Sequence, residues 1–377
     1  MSSHEKRILI IGGGFSGMSA AIQLRKLGMS VDLVEIDGSW RSYGAGISLG
    51  GATFRAFRTL GILDEFMRAG SASDGMELYR PDGVHLATLA TPRIAGPDVP
   101  GGGAIMRPTL ARILADATRA SGTRVRLGCT FTSIEQDAEG VEVTFSDSSR
   151  QRYDLVIGAD GLYSKTRELL FPDAPKPKYS GQGVWRAVLP RPSGVKTAMM
   201  WVGGKVKPGV NPVSAKSMYM FITEHRPVNE YINPAEFADR MTELLKAFTD
   251  PQIQEMLPHL QGPNAQIIYR PLEGLLVPQP WYAGRVVLIG DTVHATTPHL
   301  ASGACIGIED AIVLSEEISK HANLTDALAA FQLRRWDRCS MVVRNSARLG
   351  EIEITSGDKE EHARIMRDSM MALAASI

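Results

Sequence analysis

The chain has 377 residues, enough for one large domain or two intergrown ones with an ample core. Lys plus Arg and Asp plus Glu number 41 each, a balance that argues against a nucleic-acid or anionic-membrane surface. The three cysteines, Cys129, Cys305 and Cys339, are widely spaced, without C-x-x-C or a partnered metal pattern, and read as reduced thiols in a cytoplasmic protein with no metal site. No stretch approaches the ~18 apolar residues of a membrane span. His4 to Arg7 ahead of an apolar run resembles the start of a signal peptide, but three consecutive glycines interrupt that run.

Arg7 to Glu35, RILIIGGGFSGMSAAIQLRKLGMSVDLVE, reads as strand, glycine turn, helix, strand. Ile8 to Ile11 is the aliphatic run of a buried parallel strand. Gly12, Gly14 and Gly17 fill G-x-G-x-x-G: the first allows the tight turn, the second lets backbone approach a pyrophosphate, the third permits close helix-on-strand packing. A helix from Phe15, through Ser16, to Leu27, stopped by Gly28, would aim its free N–H groups and positive dipole end at phosphates. The strand from Ser30 to Ile36 carries Glu35 where an acid accepts ribose hydroxyls.

A glycine-rich loop holding Gly44 and Gly46 leads into a helix from Gly51 to Leu60, and by itself reads as an ordinary connection. Ser73 to Leu89 reads as two short strands around Pro81-Asp82-Gly83, and Thr91 to Gly103 as a Pro- and Gly-rich crossing. The next helix opens with Arg107 ahead of Pro108, which suits a first helical turn. A strand at Arg124 to Leu127, a hairpin of Phe131 to Glu135 with Val141 to Phe145, and a buried strand at Tyr153 to Ile157 follow. The last runs straight into GADGLYSKTR. From about Tyr179, alternating segments such as VWRAVL, AMMWVG and KSMYMFIT predict an antiparallel sheet, joined by an amphipathic helix from Pro234 to Phe248. A buried strand returns at Arg285 to Ile289, followed by GDTVHATTPHLASGACIGIEDAIVL and a charged helix from Asp326 to about Gly350.

Glu35, Asp160 and Asp291 thus sit at the ends of buried strands, where ligands of open α/β sheets bind. Taken singly, each Asp also suits a helix N-cap or a turn. The three stretches together, GGGFSG with Glu35, GADGLYSKTR, and GDTVHATTPHLASGACIGIEDA, resemble the fingerprints of the single-component FAD-dependent aromatic hydroxylases, the flavoprotein monooxygenases that act on salicylate, hydroxybenzoate and hydroxynicotinate. The likeness spans the chain to about Gly350.

That resemblance implies an α/β fold: a Rossmann-like FAD-binding domain of parallel sheet and helices, residues 1–72, 104–178 and 275–350, with an inserted substrate domain on an antiparallel sheet, residues 73–103 and 179–274, and a C-terminal helical tail, residues 351–377. It implies that Gly12, Gly14, Ser16 and Gly17 hold the FAD pyrophosphate and Glu35 the adenosine ribose. Arg107 would face the diphosphate, and Asp291 the ribityl chain. Gly303 and Ala304, after Pro298, would present N–H groups to the isoalloxazine, Gly46 would lie in the loop beside the moving flavin, and Asp160 would serve FAD and the nicotinamide by holding its own loop. NADH or NADPH would reduce FAD, O2 would form the flavin C4a-hydroperoxide, and oxygen would pass to a small aromatic substrate, a phenol or hydroxylated N-heteroaromatic. No membrane or nucleic-acid partner is implied, and the protein would be a monomer or homodimer.

For the substrate side, His299 ranks first as a contact or base, with a helix-capping role equally open; Tyr219 and Arg186 follow. Tyr219 and Phe221 share a strand face that suits a site or a core. Met199, Met200 and Trp201 read as core, and His294 as structural. The chain departs from the family pattern at Ile36 and Asp37, where a basic residue often follows the acid, and at Lys205 and Lys207, where several relatives carry histidine. No second G-x-G-x-x-G follows a strand, which disfavours a two-dinucleotide reductase or Baeyer-Villiger enzyme. The alternatives left open are an FAD-dependent reductase or dehydrogenase of the same fold and a non-catalytic flavin-binding protein.

Overall fold

The structure, a computed structural model, describes residues 6–203, 206–262 and 265–377, so His4 and Lys205 lie outside it. The chain opens with β1 (Arg7–Ile11), α1 (Phe15–Lys26) and β2 (Ser30–Glu35), the strand-turn-helix-strand unit predicted by the glycine pattern. Then come β3 (Gly46–Gly50), α2 (Gly51–Leu60), α3 (Leu63–Ala69), β4 (Ser71–Ser73) and the hairpin β5 (Met76–Tyr79) and β6 (His85–Leu89). β7 (Gly102–Met106) feeds α4 (Arg107–Ala120), β8 (Arg124–Leu127) and a small antiparallel sheet of β9 (Phe131–Gln136), β10 (Val141–Phe145) and β11 (Arg150–Tyr153). After β12 (Leu155–Gly158) and α5 (Lys165–Leu170), the chain builds β13 (Lys178–Pro190), β14 (Ala198–Trp201), β15 (Lys207–Pro212), β16 (Ser217–His225), α6 (Phe237–Leu245), α7 (Pro251–Leu260) and β17 (Gln266–Gly274). It closes with β18 (Tyr282–Ala283), β19 (Val286–Leu288), α8 (Asp291–His294), α9 (Gly303–Lys320), α10 (Leu324–Thr355) and α11 (Lys359–Ala374).

The first layer is a six-stranded sheet ordered β18-β19-β12-β1-β2-β8, parallel except for β18. Its strands are buried on both faces, which is why Ile8 to Ile11 and Leu155 to Ile157 are continuous apolar runs rather than alternating ones. α1 and α9 pack against each other over this sheet. The carboxyl ends of β1, β12 and β19 stand side by side, so Gly12, Asp160 and Asp291 follow three adjacent strands.

The second layer is a seven-stranded sheet ordered β17-β13-β16-β15-β14-β5-β6, antiparallel apart from the β14–β5 pair. Alternation divides it cleanly. Trp185, Ala187, Leu189, Met218, Met220 and Ile222 point to one face and pack with Met241, Leu245, Ile253 and Met256 of α6 and α7. Arg186, Tyr219 and Phe221 therefore belong to the opposite face, which packs on Ala45 and on Ala104 and Met106 of β7, a strand of a small antiparallel sheet ordered β3-β7-β4. Trp201 is core, fully buried on the helix-covered face, and so is Met199.

Four expectations change. Tyr153 to Ile157 is not one strand: Tyr153 ends β11 and Leu155 begins β12, because Asp154 exchanges hydrogen bonds with the Arg7 backbone and passes the chain between sheets. Pro234 to Phe248 is a 3₁₀ turn at Pro234–Glu236 followed by α6. α7, opening on Asp250 and Pro251, was not anticipated. α10 runs to Thr355, past the helix end expected near Gly350.

A buried ionic network ties α8, α9 and α10 together. Asp310 Oδ2 lies 2.6 Å from His294 Nε2 and accepts from Gly290 N at 2.9 Å, while its Oδ1 accepts from Arg335 Nε at 2.8 Å. Arg335 also donates to Glu309 at 3.1 Å, and Arg338 to the same carboxylate at 2.8 Å. Burial alone would lower the His294 pKa, but Cys339 and Asp310 beside it raise it well above the ordinary imidazole value. Burial pushes Asp310 up, and His294 and Arg335 overcome it, holding the carboxyl at about 2. His294 is thus structural, as read from its position. Asp310→Ala takes the carboxylate from His294 and leaves Arg335 to Glu309 alone, and chemical denaturation is expected to show a loss of about 3–5 kcal/mol.

Candidate active site

The glycine turn is shaped by close contacts. Gly12 has φ +107°, and a Cβ there would meet Ala159 O at 2.3 Å; a Cβ on Gly17 would lie 2.0 Å from Gly12 O. These two positions let α1 sit directly on the β1 and β12 ends. Gly14, by contrast, faces open space, and α1 starts at it without a side-chain cap or an acid in its first turn. Its leading N–H groups and dipole are therefore free to meet an anion. Glu35 closes the adjoining edge, its Oε2 accepting from Gly13 N at 2.7 Å and its Oε1 from Asp37 N at 2.8 Å. Asp37 itself is held below the usual carboxylate range by the Ser39 backbone and Arg41. Ser16 is wedged between Gly290 and Gly307, where any Cβ would come within 2.4 Å of its Oγ, so it locks α1 to the third motif.

Farther along, Asp160 is committed to its own loop: it accepts from Ser164 Oγ at 2.5 Å, Thr166 N at 2.9 Å and Thr166 Oγ1 at 3.0 Å. Asp291 at the head of α8 is exposed. Arg107 stacks its guanidinium 5.0 Å from the Phe15 ring centroid. Burial lowers its pKa, with Asp291 opposing, and the residue keeps an exposed surface. α9 begins at Gly303 and Ala304, again with no side-chain cap and no acid in the first turn, with Pro298 exposed nearby. Two uncapped helix starts, an arginine and an exposed acid at the carboxyl edge of the parallel sheet fit a molecule with a diphosphate and a hydrogen-bonding ring, as FAD has.

The face of the second sheet that α6 and α7 leave uncovered closes against the 44–50 loop. Tyr219 is 4% exposed, and its hydroxyl hydrogen-bonds Ser48 Oγ. Asn211 Nδ2 donates to Ser48 Oγ at 3.1 Å and to the Tyr219 hydroxyl at 3.4 Å. Burial raises the Tyr219 pKa, so the phenol stays protonated at neutral pH. A Cβ on Gly46 would fall 1.9 Å from the Tyr219 ring, so the missing side chain sets how closely the sheet approaches the 44–50 loop. Arg186 stands opposite Phe221 on β16 and Ile268 on β17.

His299 lies elsewhere. Its side chain is 4% exposed, Nδ1 is 2.9 Å from Thr297 Oγ1, and Nε2 faces Glu353 Oε2 of α10 at 3.4 Å. The same carboxylate takes Lys207 of β15 and faces His362 of α11 at 3.4 Å. The structure thus brings Tyr219 and Arg186 to one wall and turns His299 toward the C-terminal helices. Sequence reasoning passed over Ser48, Asn211 and Glu353. Ser48 and Tyr219 are 171 residues apart, and Lys207 and Glu353 are 146 apart, so nothing local marked these pairs.

Burial would raise the Glu353 pKa, but His299, His362 and Lys207 hold it far below the usual range. A depressed folded-state carboxyl stabilises the fold above its unfolded pKa of about 4.3, and that contribution is lost as pH falls toward the folded value. Glu353→Gln is therefore expected to be less stable than the parent at pH 7, with the gap narrowing below about pH 4.3 in denaturation curves taken across the acid range.

A family profile described as an FAD binding domain matches residues 5–346. The chain is 31% identical over 359 residues to 6-hydroxynicotinate 3-monooxygenase of Bordetella bronchiseptica, covering 90% of each chain. It is 30% identical over 357 residues to aurachin C monooxygenase/isomerase of Stigmatella aurantiaca, covering 92% of this chain and 89% of that one. Klebsiella pneumoniae HpxO complexed with FAD and uric acid shares the fold, with a TM-score of 0.82 at 24% identity over 99% of this chain and 94% of the other. With the two uncapped helix starts and these matches together, the chain belongs to the FAD-dependent monooxygenases, the flavoprotein family of aromatic and heteroaromatic hydroxylases.

Proposed function

We propose that this enzyme hydroxylates a small phenolic or hydroxylated N-heteroaromatic compound, using NADH or NADPH and O2. The observation that carries the reading is the hydroxyl-amide set of Tyr219, Ser48 and Asn211 on a sheet wall drawn tight against the Gly46 loop. A relative named as a 6-hydroxynicotinate 3-monooxygenase supports a hydroxylated heteroaromatic substrate, and one named as a 2-heptyl-3-hydroxy-4(1H)-quinolone synthase supports a hydroxylated heteroaromatic product. In this reading Gly12, Gly14 and Gly17 cradle the pyrophosphate, Ser16 keeps the turn seated, and Glu35 takes the adenosine ribose. Arg107 meets the diphosphate, Asp291 the ribityl chain, and Gly303 and Ala304 the isoalloxazine edge, with Gly46 and Pro298 bordering it. Asp160 shapes the loop between.

FAD supplies two-electron transfer from the nicotinamide and activation of O2, one atom entering the ring and the other leaving as water. The chain's own part is to orient the ring, exclude water and hold protons. Protonated Tyr219 with Ser48 forms a hydroxyl pair suited to a ring oxygen, and Asn211 fixes its orientation. The apolar neighbours Phe221, Ile268 and Met106 shield the wall from water. His299 enters as the tie between the 297–303 turn and Glu353.

Two measurements test this. With a panel of phenols and hydroxypyridines, the expected result is substrate-stimulated NAD(P)H oxidation with label from ¹⁸O2 in the product; flavin reduction without labelled product sinks the proposal in favour of a reductase. Asp291→Ala is expected to lower the FAD retained on purification, and an unchanged flavin content overturns the ribityl assignment.

A further inference from the structure

The turn that leads into α9 is held in an unfavourable shape. Pro298–Leu300 forms a 3₁₀ turn, and Ala301 after it is left-handed, with φ +49°. A residue with a Cβ persists there only where its surroundings impose it. Leu300 is buried, Ser302 Oγ donates to Leu300 O at 2.7 Å, and the His299 ring, with Nδ1 2.9 Å from Thr297 Oγ1, reaches out of the turn to α10.

Gly350 of α10 lies against that ring. A Cβ there would come 3.0 Å from His299 Cε1 and 2.8 Å from Gln182 Oε1, so the helix backbone bounds the space the ring occupies. Three residues on, Glu353 Oε2 faces His299 Nε2 at 3.4 Å. Nε2 is buried and has no hydrogen-bond partner among the described residues, so this carboxylate is what compensates it. Glu353 is held in turn by the Lys207 ammonium and by His362 Nε2 of α11 at 3.4 Å. Lys207, Gly209 and Asn211 alternate onto one face of β15, opposite Val210, which packs under α6 and α7. One carboxylate thus joins the strand that carries Asn211 to the turn that starts α9.

Resting on the assignment of Gly303 and Ala304 to the isoalloxazine edge, we infer that Glu353 is a positioning residue for the flavin: through His299 it fixes the 297–303 turn, and through Lys207 it sets that turn against the Asn211 strand. N–H groups at a helix start stabilise negative charge, so their placement bears on how readily FAD is reduced.

The test uses the FAD-loaded full chain without substrate and reads the midpoint potential of the bound flavin by spectroelectrochemistry, with the FAD dissociation constant from flavin fluorescence on dilution. Glu353→Gln, His299→Gln and Gly350→Ala should each move the potential to more negative values and weaken FAD roughly two- to fivefold. Gly350→Ala keeps every charge and raises helix propensity, so lost stability does not account for its effect. His362→Gln, which removes only the α11 partner, should leave the potential unchanged. Lys207→Met should shift the potential in the parent and add nothing in the Glu353→Gln background. An unchanged potential in Glu353→Gln and Gly350→Ala, an equal shift from His362→Gln, or additive effects of Lys207→Met and Glu353→Gln overturns the inference. Ala304→Pro removes one of the helix-start N–H groups from a first turn that tolerates proline, next to a glycine with no Cβ to crowd the ring. If it too leaves the potential unchanged, the isoalloxazine assignment falls; if it lowers the potential while Glu353→Gln does not, the role of Glu353 alone is rejected.

Discussion

The approach of the second sheet to the 44–50 loop governs the substrate side of this molecule, and it is set by a missing atom. A Cβ on Gly46 would penetrate the Tyr219 ring, so any other residue would force the sheet outward. Because the two surfaces close, Ser48, two residues along β3, reaches the Tyr219 hydroxyl, and Asn211 from the neighbouring strand reaches both. β3 is in turn paired with β7, whose end delivers Arg107 at the head of α4. One contact thus fixes the distance between the wall that would meet a substrate and the arginine that would meet the cofactor. Well-packed interiors shift in discrete steps rather than stretching, which makes such a contact a sharp determinant of site geometry.

The nucleotide side depends on a different interaction, the buried charges around Asp310. Exposed pairs such as Arg68–Glu65, with side chains 72% and 46% exposed, contribute about 0–1 kcal/mol each and decide little. The Asp310 network is of another kind, because the side chains of His294, Asp310, Arg335 and Glu309 are at most 1% exposed and removing one leaves buried charge under-compensated. Its position matters as much as its strength. Asp310 accepts from Gly290 N, one residue before Asp291, and Arg335 donates to Ile306 O in the first turn of α9. The exposed acid and the uncapped helix start are therefore held by the same carboxylate and guanidinium. Such preorganisation spares the site from reordering when a ligand arrives.

How much of this was readable beforehand follows from how far apart the cooperating residues lie. The glycine turn was legible because strand, turn and helix are contiguous, and sterics at Gly12 and Gly17 leave few substitutes. The antiparallel sheet was visible as alternation, and alternation correctly grouped Tyr219 with Phe221. It could not say which face would be covered by α6 and α7 and which would meet Gly46, since that choice depends on packing between distant segments. His299 shows the same limit: the third motif fixed the backbone of its turn, while Glu353 on α10 determined where its ring went. At Tyr153 to Ile157 the apolar run was read as one strand, and the single polar residue in it, Asp154, was the sign of a sheet change.

A net charge of zero at first suggests an electrostatically featureless protein, yet charge here is segregated rather than absent. Most acids are spent on visible partners, at the surface with Arg and Lys or in the Asp310 network. Three arginines depart from this pattern: Arg107 and Arg270 both act on Arg186, and Asp291 is the acid that acts on Arg107. A bound diphosphate would satisfy Arg107, which lies over Phe15 at the first turn of α1. It would not serve Arg186 equally, because that residue projects from the sheet wall beside Tyr219, in register with Ile268.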